Sequence, residues 1–195
     1  ILTACDITTG MVHSSVVQPK GVNDYAVAEL QRFLYETGRT TAVIQSDNES
    51  AIKSLSRRVA TQLGTATRTS PDYSSQSLGN VEGWHRHLWT QVRTLKEVIK
   101  VNYNVELNPQ HTLMTWIVKH AAWLQNRFQL HDDGRTSYFR RWTRDYVRPL
   151  VGFGEKILFR LPKTDGGKAE PQWDFGIWLG RCTTSCLLYT SPSPR

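Results

Sequence analysis

Cysteine is scarce in this chain of 195 residues. Only three are present, Cys5, Cys182 and Cys186, and no two of them form a Cys-x-x-Cys pair. This number and spacing give neither a disulfide framework nor the four close ligands of a structural zinc site. Because reduced thiols are the default inside cells, we expect an intracellular protein.

Long apolar runs are also missing. No uninterrupted apolar stretch approaches the ~18 residues that a membrane-spanning helix needs, so we expect no membrane partner. The first five residues, Ile1 to Cys5, lack the basic segment of a signal peptide and are typical of a β-strand. An initiator methionine is absent as well, and we expect that the chain begins inside a longer protein.

Acidic residues are outnumbered by basic ones. The chain has 24 Lys and Arg against 17 Asp and Glu, a net charge of +7. Such an excess favours a polyanionic partner, nucleic acid first. Hydrophobic residues make up 39% of the chain, which is enough for a core and argues against global disorder. The length suits one domain of ordinary size and a small second one.

The order of predicted elements is typical of an α/β fold. Two short strands joined by a hairpin turn precede a helix that ends at Gly38, and a strand ending at Asp47 precedes a helix that ends at Gly64. A turn-rich loop, Ser70–Asn80, then leads into a long helix. No internal repeat is found. The predicted strands are 1–5, 11–17, 41–47, 65–69, 155–161 and 176–180, and the predicted helices are 23–38, 52–63, 81–101, 112–128 and 137–144.

Asp47 and Glu82 are the most informative pair of side chains. Asp47 ends a β-branched apolar run, and Glu82, 35 positions later, lies in the first turn of the long helix. Sites in α/β proteins gather at the carboxyl ends of strands. Carboxylate oxygens are ligands for hard divalent cations, and two such cations ~3.5–4 Å apart catalyse phosphodiester transfer. The pair therefore indicates a metal site for phosphodiester chemistry.

Basic side chains follow Glu82 along one helix face. At 100° per residue, Arg86, Trp89, Arg93 and Lys96 point within about 40° of Glu82, away from the apolar stripe. Cations in this arrangement can neutralise the phosphates of a DNA backbone. An ordinary solvated face with a Glu-Arg pair is the alternative. Combined with Asp47, the pattern favours a DNA-binding function for Arg86, Arg93 and Lys96.

Several segments resemble one protein family. The segment 45–50 (QSDNES) resembles the second-aspartate segment of retroviral and long-terminal-repeat retrotransposon integrases, and 76–82 (QSLGNVE) resembles the loop that leads to their glutamate. The segments 120–124 (HAAWL), 134–138 (GRTSY), 153–155 (FGE) and 176–180 (GIWLG) resemble the downstream part of the retrotransposon polyproteins. The resemblance covers nearly all of residues 1–184. The chain departs from the family at Leu78-Gly79-Asn80, where an Asn-Gly loop is commoner.

The resemblance implies a fold and an activity. It implies an RNase H-like core in residues 1–130 that is truncated at its first strand, a helical connector in 131–150 and a partial small β domain in 151–184. Residues 185–195 resemble the translated end of a sequencing adapter and are excluded from the fold prediction. The implied parent enzyme integrates element DNA into target DNA by strand transfer and acts as a homo-oligomer, in the nucleus or in a virus-like particle. It uses Mg²⁺ or Mn²⁺ held by Asp47, Glu82 and a first aspartate.

The first aspartate is the open question of the implied site. Asp6 follows an apolar strand, but it lies in a hairpin turn, where aspartate is a common turn former. In the family the first aspartate lies on the first of three strands before the first helix, and only two strands precede that helix here. We therefore interpret Asp6 as a turn residue, place the missing aspartate before Ile1 and expect the isolated chain to be inactive. A degenerate DNA-binding remnant and a nuclease of the same fold are the alternatives.

Aromatic and basic residues alternate in the connector. This pattern is typical of a nucleic-acid surface, and equally of a packed aromatic face with solvated arginines. Trp173 and Trp178 are predicted to lie in the core of the small β unit. His85 and His87 are interpreted as surface or packing residues. The alternating residues are Arg135, Tyr138, Phe139, Arg140, Arg141, Trp142, Arg144, Tyr146 and Arg148.

Overall fold

Helices and short strands alternate through the described part of the chain. The computed structural model describes residues 1–17, 22–70, 79–161 and 171–181. The mixture of helices and sheets confirms the predicted α/β class. The elements are β1 (Leu2–Cys5), β2 (Val12–Ser15), α1 (Asp24–Thr37), β3 (Ile44–Ser46), α2 (Ser50–Leu63), β4 (Thr67–Thr69), α3 (Gly79–Tyr103), α4 (Leu113–Phe128), α5 (Ser137–Trp142), β5 (Lys156–Arg160) and β6 (Trp173–Ile177).

The described strands form three sheets of two strands each. Strands β1 and β2 are an antiparallel hairpin in which Leu2 lies opposite Ser15. Strands β3 and β4 are parallel, with Ile44 opposite Thr67, and helix α2 makes the crossover that a parallel pair requires. Strands β5 and β6 are a second antiparallel pair.

Helix α1 covers the first two sheets with one apolar face. Its buried side chains include Ala26, Leu30 and Phe33, at the spacing of a helix stripe. Leu2 of β1 and Ile44 of β3 both pack against this cluster, so the two sheets share one core. The helix begins where the Asn23 side chain accepts a hydrogen bond from the Ala26 amide at 2.8 Å, and it ends at Gly38 in the left-handed region.

Helices α3 and α4 form the second core. The sequence predicts an apolar stripe of Trp84, Leu88, Val92, Leu95 and Ile99 on α3. The last four are buried and pack against the buried side chains of α4, while Trp84 is half-buried. The buried Asn126 amide of α4 then fixes this helix to β2. It donates to the Val12 carbonyl at 2.7 Å and accepts from the Val12 amide at 2.8 Å. The long helix and its apolar face are therefore confirmed.

The β5–β6 pair docks onto the end of α3. Phe153 is buried in the α3–α4 core, and the Tyr103 hydroxyl donates to the Gly154 carbonyl. Gly154 has φ of 80°, and a Cβ at this position would collide with Ile99. The close approach of the strand pair to α3 therefore requires glycine.

Two predictions about the small β unit are wrong. Strand β6 spans Trp173–Ile177 instead of 176–180, because its ladder with β5 ends at the pair Lys156 and Ile177. Trp178 then bonds outside the ladder, to the backbone of 154 and 155, and is buried as predicted. Trp173 is 39% exposed instead of lying in the core, and Phe175 and Ile177, which share its face of β6, are exposed as well.

Other element ends differ by a few residues. Strands β1, β2, β3 and β4 are shorter than predicted, and α3 begins at Gly79 instead of Val81. Helix α5 ends at Trp142 because Thr143 adopts a left-handed conformation, with φ of 56°. Most of the predicted loop 70–80, the turn at 164–168 and the tail 185–195 lie outside the described residues.

Candidate metal and nucleic-acid site

Asp47 lies at the carboxyl end of the parallel strand pair. It directly follows β3, it is exposed, and one of its carboxylate oxygens accepts from the Glu49 amide at 3.2 Å. The pairing continues past the strand ends, because the Ser70 amide donates to the Ser46 carbonyl at 2.8 Å. This is the edge at which α/β sheets place their functional groups.

Glu82 lies in the first turn of α3 and is exposed. A carboxylate in this position is stabilised by the unpaired amides and the positive dipole end of a helix. The structure thus places the two predicted carboxylates on a strand end and a helix start, and leaves both accessible to solvent. Among the described residues, no group of three or more His, Cys, Asp or Glu side chains could hold a metal ion.

Asp6 stabilises the turn between β1 and β2. Its carboxylate accepts from the Thr8 amide at 3.4 Å, from the Thr9 amide at 3.3 Å and from the Thr9 hydroxyl at 2.6 Å. Arg39 lies 3.3 Å from the same carboxylate. The interpretation of Asp6 as a turn residue is confirmed, since its oxygens already have these partners.

The helix face that follows Glu82 is open to solvent. Arg86 and Arg93 are exposed, Lys96 is half-buried and Trp89 is 39% exposed. The Trp89 indole donates to the His85 ring at 3.1 Å within the helix. This face lies away from the buried stripe, as predicted, and presents cations over about three turns. Contact with DNA remains a prediction.

Comparison with known proteins identifies the fold. No sequence-family model and no curated protein sequence matches the chain. A chain of the simian T-cell lymphotropic virus intasome, in complex with PP2A regulatory subunit B56 gamma, is similar in structure. Its TM-score is 0.54 at 18% identity, over 98% of this chain and 72% of that chain. The chain has the RNase H-like fold of integrase catalytic cores.

The catalytic core domain of BIV integrase is a second similar structure. Its TM-score is 0.49 at 17% identity, over 72% of this chain and 84% of that chain. Among the described residues, no helix is both long enough and apolar enough to cross a membrane.

The aromatic residues of the connector are packed inside the integrase-type fold. The rings of Trp123, Tyr138 and Tyr146 surround the Arg127 guanidinium at 4.4, 5.3 and 5.4 Å. Two of the interleaved arginines also have internal partners, because Arg140 pairs with Asp133 and Arg141 donates to the Glu36 carbonyl. The packing alternative is therefore correct for Tyr138 and Tyr146.

A buried charge cluster beside this aromatic group was not predicted. Glu29 is 3% exposed and lies 3.0 Å from the Lys119 ammonium, 2.5 Å from Arg32 and 3.4 Å from His13. Burial alone would raise the pKa of Glu29, but Lys119 and the other neighbours hold it below its usual value. The cluster borders a cavity of about 320 Å³ between β2, α1 and α4.

The sequence does carry a signal for this cluster. Glu29 lies three positions after Ala26 and four positions before Phe33, which is the spacing of the buried stripe of α1. A buried carboxylate on an apolar stripe needs a charged or hydrogen-bonding partner. Lys119 supplies that partner from α4, 90 positions along the chain, and a local pattern does not reveal it.

Proposed function

We propose that this chain is the catalytic core of an enzyme that joins DNA ends to a target duplex by metal-dependent strand transfer. One observation carries the proposal. Asp47 and Glu82 are exposed at a strand end and at a helix start, in a chain whose fold is that of integrase catalytic cores. A nuclease of the same fold would use the same two carboxylates, so the product of the reaction distinguishes the two enzymes.

The proposed reaction exchanges one phosphodiester bond for another. The 3′-hydroxyl oxygen of a DNA end attacks a phosphorus of the target, and the bond from that phosphorus to the target 3′-oxygen breaks. The hydroxyl proton leaves with the displaced oxygen or passes to solvent. Mg²⁺ or Mn²⁺, when bound, would activate the attacking oxygen and stabilise the leaving oxygen. Asp47 and Glu82 supply the hard oxygen donors that such ions prefer, so the donor chemistry fits.

A complete site needs a third carboxylate. Asp6 is unsuitable because its oxygens accept hydrogen bonds from Thr8 and Thr9 and form an ion pair with Arg39. We propose that an aspartate outside the described residues completes the metal site. With two carboxylates alone, metal ions would bind weakly.

The proposed partners are element-end DNA, target DNA and further copies of the chain, acting in the nucleus or in a virus-like particle. The net charge of +7 and the exposed cations of α3 support the DNA partners. A complex that holds two DNA ends and a target also gives a reason for several copies, since each active site joins one end.

Strand transfer by a protein that contains this chain and the third carboxylate tests the proposal. With Mn²⁺ and a labelled duplex that ends in a free 3′-hydroxyl, we expect labelled products longer than the substrate when plasmid DNA is the target. Chelation of the metal by EDTA should remove all such products. Shortened products without joined ones would favour the nuclease, and DNA binding without any product would favour the degenerate remnant.

The DNA face of α3 is tested by the salt dependence of binding. Substitutions Arg93→Ala and Lys96→Ala should each lower the slope of log K against log salt by about one, since each removes one phosphate contact. Fluorescence anisotropy with a labelled duplex at several salt concentrations measures this slope. Arg57→Ala, at an exposed position of α2, is the matched control. If the α3 variants keep the wild-type slope, this face of α3 is an ordinary solvated surface that makes no phosphate contacts.

A further inference from the structure

The start of helix α3 has few ties to the core. From Val81 to His87 no described side chain is fully buried, and the buried stripe begins only at Leu88. Glu82 therefore lies on a stretch of helix that precedes the α3–α4 core. A helix end without buried anchors frays readily, because opening it exposes little apolar surface. Some contact outside that core must hold this turn if Glu82 is to keep a fixed position.

His131 makes such a contact from the loop between α4 and α5. The Trp84 ring meets the His131 ring edge to face, with centroids 5.2 Å apart and planes at 71°. Trp84 is two positions after Glu82. A ring pair of this geometry contributes about 0.5–1.5 kcal/mol beyond the area that it buries. It connects the turn that bears Glu82 to a segment about 50 positions later in the chain.

The His131 ring is itself held on two further sides. Its Nε2 shares a hydrogen bond of 2.8 Å with the hydroxyl of Ser137, which is fully buried at the start of α5. On another side it lies against Gly10 of the β1–β2 turn, where a Cβ would collide with the ring. Gly10 has φ of 74°, so both its conformation and the space around it favour glycine.

The backbone around His131 is equally fixed. The His131 amide donates to the Arg135 carbonyl at 3.0 Å, and the His131 carbonyl accepts from the Gly134 amide at 2.9 Å. A bridge between Leu130 and Thr136 closes the loop. The loop therefore presents the ring as a rigid support.

We propose that His131 is a positioning residue that holds the Glu82-bearing turn of α3, through the Trp84 ring, against the β1–β2 turn and the start of α5. The role rests on the proposed function, in which Glu82 is a metal ligand. His131 touches no reacting atom. It acts on the reaction by limiting the positions that the Glu82 carboxylate can take, which lowers the cost of ordering a metal ligand.

Hydrogen exchange on the 195-residue chain tests whether His131 holds the start of α3 in place. In His131→Ala, we expect the amides of residues 84–88 to exchange about tenfold faster, which corresponds to the combined loss of one ring pair and one hydrogen bond. The amides of 92–99 should keep their wild-type rates. His131→Phe, which retains a ring for Trp84, should restore most of the protection.

Mn²⁺ titration tests whether His131 helps Glu82 to bind a metal ion. Paramagnetic broadening of the Glu82 amide signal reports Mn²⁺ at that carboxylate, and we expect its midpoint to rise several-fold in His131→Ala. His85→Ala is the matched control, because the His85 ring contacts Trp89 within α3 and has no ring or hydrogen-bond contact to a second segment among the described residues. It should leave both the midpoint and the exchange of 84–88 near their wild-type values.

Three results would distinguish a positioning role of His131 from a general role in stability and from a failure of the proposed metal site. Unchanged exchange at 84–88 in His131→Ala would overturn the positioning role. Faster exchange along the whole of α3, with a large fall in Tm, would also overturn it, since His131 would then be a general stability residue. If Glu82→Gln leaves the broadening at position 82 unchanged, the metal site fails, and the hydrogen exchange alone decides the role of His131.

Discussion

Glu82→Gln is expected to lower strand transfer at least about a hundredfold in a protein that has the complete metal site. The amide keeps the size of the side chain but cannot carry the negative charge that a divalent cation requires. Losing even an outer-sphere partner of a metal site lowers affinity or activity by about 10- to 100-fold, so the loss of a direct ligand should exceed this. Quantifying joined product against time with Mn²⁺ measures the effect.

The same substitution should leave the folded chain and its DNA affinity intact. Glu82 is exposed, and exposed substitutions change stability by about 0.5 kcal/mol or less. Glu97→Gln provides a control in the same helix, because Glu97 is also exposed but lies four turns further along α3. It should retain wild-type strand transfer. Equal losses in both variants would mean that the charge of α3, and not a ligand, controls the reaction.

Asp47→Asn should give the same loss by the same reasoning. The exposed Asp132 of the α4–α5 loop supplies the control Asp132→Asn. If either Asp47→Asn or Glu82→Gln transfers strands at the wild-type rate, that carboxylate is not a ligand. A loss in only one of the two would identify the remaining ligand without any change to the fold assignment.

Local patterns predicted the parts of the fold that local forces determine. The stripe at Leu88, Val92 and Leu95 repeats at helix spacing, and the structure buries all three residues. Gly38 and Gly64 were predicted as helix ends, and both adopt left-handed conformations there. These features depend on neighbours within a few positions, so the sequence is sufficient to predict them.

Long-range contacts determined the parts that were mispredicted or missed. The register of β6 depends on its pairing with β5, and Trp173 lies on the face of β6 on which Phe175 and Ile177 are also exposed. His131 has no motif of its own, and its role emerges only when Gly10 and Trp84 are brought against it. For the candidate site, the sequence predicted that Asp47 ends a strand and that Glu82 begins a helix, and the structure has both there. The interpretation of Asp6 as a turn residue was confirmed only by the hydrogen bonds of its turn.

Acid is expected to destabilise the fold well above the pH at which carboxylates titrate. Burial lowers the pKa of His13 and His120 to about 4, from a usual value near 6.5. Lys119 and Arg32 further disfavour the charged form of His13 against the opposing effect of Glu29, and Arg127 does so for His120. Both rings are thus neutral in the folded chain at pH 7.

The direction in which pH changes the free energy of unfolding follows from proton binding. Below pH 6.5 the unfolded chain protonates both rings while the folded chain does not, so acid favours the unfolded state. The stability from the neutral rings is fully present above pH 6.5 and is lost as the pH falls towards 4. Between pH 7 and pH 5 each ring should lower the free energy of unfolding by about 1–2 kcal/mol. Glu36 opposes this change, because burial raises the pKa of its carboxyl and protonation there favours the folded state.

The variant His120→Phe isolates one of the two rings. The His120 ring stacks on Trp123 at 5.5 Å and contacts Phe153, so a phenyl ring can keep these contacts and cannot be protonated. Urea unfolding at pH 7 and pH 5 should show about half the wild-type loss of stability in this variant, and an unchanged loss in the control His87→Gln, whose side chain is exposed. A wild-type loss in His120→Phe would assign the acid sensitivity to the burial of the His13 ring. His13 lies in the Glu29 cluster, which joins β2, α1 and α4. Protonation of the His13 ring would then loosen the contact between the two cores.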